Sequence, residues 1–285
     1  GMGIFLFFYR GGSWTSANQG LTDPFVLCLT TGKDGAIYAG TFRGGVFRSR
    51  DGGKIWQPVN KGLKRLEIKA LMMDAKGLYA GTGDGVYLLN AAQDQWKVVS
   101  TGLDEILVHA LARTDDGTLY AGTSGKGVHS YKERSTGWTR LRQGLRDHEG
   151  LVENFIRVLA VDKEQGVYAG TFDGGVFRSG DAGKTWSPIS RALPNDSIRG
   201  LISNERGVYV ATGRGIFKTV DKGRQWVPLN KGLSNLSVQV LIEGEKGGFY
   251  AGTSSGVFRS DDDGLTWTAV SQGLEGESVA PFKFN

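Results

Sequence analysis

Apolar and polar residues alternate along this chain in short runs rather than at helical spacing. Runs of β-branched, aromatic and aliphatic residues are closed about every 8–12 residues by Gly, Asp or Asn, which predicts strands joined by tight turns. One stretch shows the grammar. Residues 66–73 (Leu-Glu-Ile-Lys-Ala-Leu-Met-Met) predict a first strand, Gly77 to Thr82 a second, Gly85 to Leu89 a third and Trp96 to Val99 a fourth.

The pattern recurs. Tyr-Ala-Gly-Thr stands at 38–41, 79–82, 120–123, 168–171 and 250–253, with Tyr-Val-Ala-Thr at 209–212; the tyrosines are 41, 41, 48, 41 and 41 residues apart. Trp14, Trp56, Trp96, Trp138, Trp186, Trp226 and Trp267 keep the same beat, each followed seven residues later by Leu, from Leu21 to Leu274. An array of four-stranded units of ~41 residues predicts an all-β fold, a seven-bladed β-propeller, because one such sheet cannot bury both faces alone. A β-solenoid, the competing repeat architecture, uses shorter coils and would not need four strands per unit. The complete blades are expected at 22–62, 63–103, 104–145, 146–193, 194–233 and 234–274. The seventh is expected to be split between the ends. Residues 1–21 would supply its third and fourth strands and 275–285 its first, with Val279 and Phe282 in the apolar slots. No segment matches its second strand. Residues 1–285 are thus expected to form a single domain, and Gly1 before Met2 reads as the scar of a tag.

Composition narrows the chemistry. Of 285 residues 45 are Gly, roughly twice the usual share, yet no triplet period appears, so glycine serves turns and close packing. A single cysteine, Cys28, excludes an intrachain disulfide framework and a thiolate-rich zinc site. His109, His129 and His148 lack metal-ligand spacing, and His129 occupies the slot that Phe47 and Phe177 fill in other units. No metal or cofactor is expected. The apolar run Ile4 to Tyr9 is too short to cross a bilayer or to act as a signal segment, so no membrane insertion is expected and this chain shows no signal peptide. The net charge of +5 is dispersed, with no basic run beyond Lys64-Arg65, and no nucleic acid partner is expected. The glycines of 122–127 precede no helix and read as a turn, not a phosphate loop.

Four units carry a turn between their third and fourth strands of one type: Ser49-Arg-Asp51-Gly-Gly53-Lys-Ile-Trp56, Ser179-Gly-Asp181-Ala-Gly183-Lys-Thr-Trp186, Thr219-Val-Asp221-Lys-Gly223-Arg-Gln-Trp226 and Ser260-Asp-Asp262-Asp-Gly264-Leu-Thr-Trp267. They resemble the Asp-box, or bacterial neuraminidase repeat, Ser-x-Asp-x-Gly-x-Thr-Trp; Phe7–Trp14, Leu89–Trp96 and Ser130–Trp138 are degenerate copies. The resemblance covers essentially the whole chain. The regular unit is most similar to photosystem II assembly-factor-like and xyloglucanase-type propellers. Sialidases of the same superfamily usually have an Arg-Ile-Pro start motif that is absent here, and irregular blades. The resemblance implies a β-propeller and slightly favours an extracytoplasmic location. It does not carry activity. The Asp carboxylates can accept backbone N–H bonds across the turn with the Trp packed under the hairpin, so Asp51, Asp181, Asp221 and Asp262 are expected to be turn staples on the face opposite the usual propeller site.

Three features fall on the loop face that usually holds the ligand. The residue after the first apolar position of each first strand reads Leu27, Lys69, His109, Arg157, Arg199, Gln239 and Ala280, a ring with basic character expected near the axis. An insertion lengthens the fourth complete unit and carries Arg146, His148, Glu149 and Glu153. The tips of the loops after the second strands present Phe42-Arg43, Asp84, Lys126, Phe172-Asp173, Arg214 and Ser254-Ser255. The expected function is a non-catalytic, monomeric propeller that recognises a protein segment or an anionic or carbohydrate ligand. Lys69, His109, Arg157, Arg199 and Gln239 would line the channel mouth, with Arg146, His148, Glu149, Arg43, Asp84, Asp173 and Arg214 on the rim. The alternative is a glycoside hydrolase using two carboxylates on the same face, with Asp84, Asp173 and Glu149 as the acids in reach.

Overall fold

The computed structural model describes residues 4–8, 12–90, 92, 94–99, 101–141, 155–194, 197–244 and 247–274. They form 26 strands and no α-helix. Strands β1 (Phe5–Phe8) and β2 (Ser13–Ser16) pair as a two-stranded sheet, and the rest make six four-stranded antiparallel meanders. The first runs from β3 (Val26–Thr31) through β4 (Ile37–Thr41) and β5 (Val46–Ser49) to β6 (Gln57–Pro58). The second runs from β7 (Ile68–Met73) to β10 (Gln95–Val98), and the third from β11 (Val108–Arg113) to β14 (Thr139–Leu141). The fourth runs from β15 (Ile156–Val161) to β18 (Ser187–Pro188), the fifth from β19 (Ile198–Asn204) to β22 (Val227–Pro228), and the sixth from β23 (Val238–Glu243) to β26 (Thr268–Ala269). These sheets are the blades of a β-propeller. Where seven four-stranded blades were expected, six are present among the described residues. The seventh sheet has two strands among the described residues; the segment expected to add to it, 275–285, lies outside them.

Successive first strands pack on one another, β3 on β7, β7 on β11 and onward to β23. The repeated Tyr-Ala-Gly-Thr explains how they approach so closely. It forms the second strand of each blade, and its glycine faces the next first strand: a Cβ on Gly40 would stand 2.6 Å from Ile68 Cγ2, and one on Gly122 2.5 Å from Ile156 Cγ2. The threonine closes the following loop, as Thr41 Oγ1 does by donating to Gly45 O at 2.9 Å.

The tryptophans do more than pack under their own hairpins. Each of several reaches the preceding blade: Trp56 Nε1 donates to Ala17 O at 2.9 Å, Trp96 Nε1 to Val59 O at 2.7 Å and Trp267 Nε1 to Leu229 O at 2.8 Å. This accounts for the fixed Trp–Leu interval. The leucine of one unit packs with the tryptophan of the next, as Leu103 does with Trp138 and Leu193 with Trp226. The glycine before it is obligatory at Gly62, where φ is +96° and a Cβ would lie 2.2 Å from Trp96 O.

The two-stranded sheet lies between the last blade and the first. Ile4 and Leu6 pack with Phe47 and Trp56, while Trp14 packs with Tyr250, Val257 and Leu274.

Candidate functional site

A bulge builds the mouth. In all six four-stranded blades the pairing of first and second strands slips one residue beyond its start: Ile68 faces Thr82 and Ala70 faces Gly81, leaving Lys69 without a partner in the ladder. The same slip isolates Leu27, His109, Arg157, Arg199 and Gln239. Both faces of a first strand are covered by neighbouring blades, so a regular register would bury these side chains. The extra residue bends the strand and turns its side chain toward the axis. Leu27, Lys69, His109, Arg157, Arg199 and Gln239 thereby line one cavity of about 410 Å³, walled also by Phe155, Phe172, Ile156 and Val240. The five residues expected at the mouth are brought together.

Among the described residues no side chain lining this cavity is a carboxylate. Lys69 Nζ has the nearest counter-charge, Glu67 Oε1 at 2.9 Å. Arg199 Nη1 donates to Ser237 Oγ at 3.0 Å and to the Val238 carbonyl at 3.4 Å, and Gln239 Nε2 donates to the same hydroxyl at 3.1 Å. Arg157 makes no hydrogen bond or ion pair among the described residues; its guanidinium stands 5.5 Å from the centre of the Phe172 ring. Burial and then the charge of Arg199 push the Arg157 pKa down. Burial, reinforced by Lys69 and Arg157 and opposed by Glu67, pushes His109 down to about 4. His109 is therefore neutral at pH 7, and the mouth holds three cations rather than four.

The rim is less concentrated. Arg43, Asp173 and Arg214 are exposed at loop tips. Asp84 is engaged in the fold: its Oδ2 accepts from Tyr87 Oη at 3.0 Å, its Oδ1 accepts from Glu105 N at 3.2 Å, and Lys64 Nζ is 3.5 Å away. Arg146, His148, Glu149 and Glu153 lie outside the described residues. Beside the mouth a second cavity of about 650 Å³ is lined by Pro24, Phe25, Leu27, Phe42, Arg43 and Lys69, among others. Phe25 and Phe155 were not legible as mouth residues, because a Phe at the start of a strand reads as core. The signal was the same position in three of the other four units, where Glu67, Ser197 and Ser237 stand; the fourth has Leu107.

The opposite face carries the acids of the Ser-x-Asp turns. Asp181 Oδ1 accepts from Ser179 Oγ at 2.7 Å and Thr185 N at 2.9 Å, and its Oδ2 accepts from Thr185 Oγ1 at 2.6 Å. The Thr185 hydroxyl, then its N–H and Ser179, hold Asp181 down to about 2. Asp51 and Asp221 are bonded in the same way to Ser49 and Thr219. Further acids there hold cations at the blade edges, as Asp74 holds Arg113 at 2.6 Å. His129 is buried, 4% exposed, in the packing slot expected for it. Among the described residues no three His, Cys, Asp or Glu side chains gather as metal ligands, and no helix is long and apolar enough to cross a membrane.

Fold and site together define a β-propeller with a cation-lined axial mouth. No protein-family model matches the chain, and no curated protein matches it in sequence. Among solved structures it is similar to the extracellular domain of BT3049 from B. thetaiotaomicron, with a TM-score of 0.76 and 18% identity over 94% of this chain and 36% of that one. It is also similar to the GH74 enzyme of Niastella koreensis (TM-score 0.70, 13% identity, 96% of this chain and 51% of that one). A third is virginiamycin B lyase from Staphylococcus aureus (TM-score 0.71, 10% identity, 99% and 92%). At such identities these likenesses show the fold alone. The chain spans about a third of the first of these proteins and about half of the second.

Proposed function

We propose that this chain is a non-catalytic binding propeller of the Asp-box kind that takes an anionic group of a partner or ligand at its axial mouth. One observation carries the reading: Lys69, Arg157 and Arg199, delivered by three separate bulges, face one cavity whose lining includes no carboxylate among the described residues. Like charges held together in a partly desolvated space favour an anion that offsets them. A carboxylate, phosphate or sulfate on a protein segment or a saccharide meets that requirement. The same reading completes the seventh blade with residues from both chain ends.

The test is thermal unfolding in sodium sulfate and citrate against sodium chloride at matched ionic strength. Both multivalent anions are expected to raise Tm in the wild type, and the gain is expected to vanish in the Arg157→Gln, Arg199→Gln double variant. Identical gains in wild type and variant would sink the reading. The alternative is a glycoside hydrolase, the class of the GH74 enzyme whose fold this chain shares, and it needs two carboxylates about 5–10 Å apart across the bound sugar. Turnover of an aryl-glycoside that is lost in Asp173→Asn or Glu149→Gln would favour it.

A further inference from the structure

Two positions flank each bulged residue at the mouth: the residue just before the first strand, and the residue just after the threonine that ends the second. In two blades both are Phe, Phe25 with Phe42 and Phe155 with Phe172. The remaining blades carry polar or small pairs there, such as Glu67 with Gly83 and Ser237 with Ser254; Leu107 is the one other large apolar residue. The fold does not require aromatic rings at these places. The backbone bond joining the two positions forms with them, Phe42 N to Phe25 O at 2.9 Å and Phe172 N to Phe155 O at 3.0 Å. It forms also without them in the one other blade whose loop has the same length, Ser124 N to Leu107 O at 2.9 Å.

These rings are also left open. Phe25 is 49% exposed and Phe172 59% exposed. A cation of the mouth and one of the rim lean on Phe42: Lys69 Nζ stands 5.3 Å and Arg43 Cζ 5.2 Å from the centre of its ring. The trough of about 650 Å³ between Phe25 and Phe42 shares Leu27 and Lys69 with the cation-lined cavity, so one ligand can occupy both. Its single carboxylate among the described residues, Asp23, accepts the N–H groups of Phe25, Arg43 and Gly44. Pro24, Phe25, Leu27 and Phe42 give the trough an apolar wall, and its polar side chains besides Asp23 are Thr22, Arg43 and Lys69, so it suits an apolar body better than a ring of hydroxyls.

We infer that the ligand is an organic acid with an aryl or branched apolar body, its carboxylate among Lys69, Arg157 and Arg199 and its body in the trough against Phe25 and Phe42. This rests on the anion-binding reading above and adds to it the class of ligand.

Calorimetric titration of the full chain separates the two. The probes are acetate, 3-phenylpropionate, 3-phenylpropanol and glucuronate, with sulfate as the reference anion. 3-Phenylpropionate is expected to bind at least tenfold more tightly than acetate, and 3-phenylpropanol not to bind. In the Phe25→Ser, Phe42→Ser double variant the tenfold gain disappears while sulfate still binds. Equal affinity for acetate and 3-phenylpropionate, with sulfate still bound, overturns this inference and leaves the anion reading standing. Glucuronate binding as tightly as 3-phenylpropionate overturns it in favour of sugar acids. Failure of sulfate and all the acids to bind overturns both.

Discussion

The indole N–H of Trp14 donates to the carbonyl of Val270 at 2.6 Å, across 256 residues of chain. The backbone repeats the link, with Trp14 N donating to Gln272 O at 2.8 Å. Gly273, φ +89°, sits beneath Trp14 O where a Cβ would approach to 2.4 Å. This is the relation that Trp96 has with Val59, Lys61 and Gly62. The N-terminal hairpin therefore docks on the last blade as the first, second and sixth blades dock on their predecessors through Trp56, Trp96 and Trp267, and the two ends of the array are joined by the device that links those blades.

Trp14→Ala should destabilise the protein by about 3–5 kcal/mol, the usual loss for a buried aromatic. Trp14→Phe keeps the ring's packing and removes the indole bond, for about 1 kcal/mol. Urea unfolding monitored by circular dichroism measures both. Equal, negligible effects would mean that closure does not pass through this contact.

Truncation after Glu277 removes 278–285, the segment read as a strand of the split blade. A large drop in Tm with aggregation is expected, since an unpaired sheet edge would be left in the ring. A truncated chain that melts with the full-length one would break the proposed pairing of the ends.

Arg157 and Arg199 push on each other, and salt screens that repulsion. In Arg157→Gln the unliganded protein should melt at the same temperature or a few degrees higher, about what 1 kcal/mol brings in a chain of this size. Its Tm should also respond less to added sodium chloride than the wild type's. A variant that melts well below the wild type would show that Arg157 supports the fold.

The pH dependence follows from His109. Its pKa falls from 6.5 to about 4 on folding. Between those values the unfolded chain takes up a proton that the folded one does not, so stability falls as pH drops from 6.5 to 4 and levels off below. About 1–2 kcal/mol of that loss should disappear in His109→Gln, read from urea midpoints at pH 7 and 4.5. His129, also pushed down to about 4 by burial and then by Arg140, contributes a similar loss that this variant retains. An anion at the mouth should raise the His109 pKa, visible as a shifted imidazole titration by NMR in sulfate.

Asp181→Ala should lower Tm without changing the response to sulfate, because its oxygens serve only the turn on the far face. Its stabilisation is complete above pH 3.8 and is lost as pH falls toward about 2. A loss of anion response in this variant would contradict its assignment to the turn.

The repeat made the blades legible because each unit restates the same solution. Tyr-Ala-Gly-Thr marks the second strand, and the Trp–Leu interval records a contact between neighbours. The ring at the mouth was legible for the same reason, as polar letters in an otherwise apolar column at Lys69, Arg157 and Arg199. Three things were hidden. The protonation of His109 depends on burial and on cations from other blades, which no local window contains. The engagement of Asp84 with Tyr87 and Glu105 is a loop-to-loop contact. The mouth role of Phe25 was masked because an aromatic residue beside a strand looks like core until its exposure is known.

Because the bulged residue of each blade stands outside the hydrogen-bonded ladder, its identity is nearly uncoupled from folding. The six blades already hold Leu, Lys, His, Arg, Arg and Gln there on one backbone geometry. Exchange among these letters rewrites the chemistry of the axis while leaving the sheets that carry it unaltered.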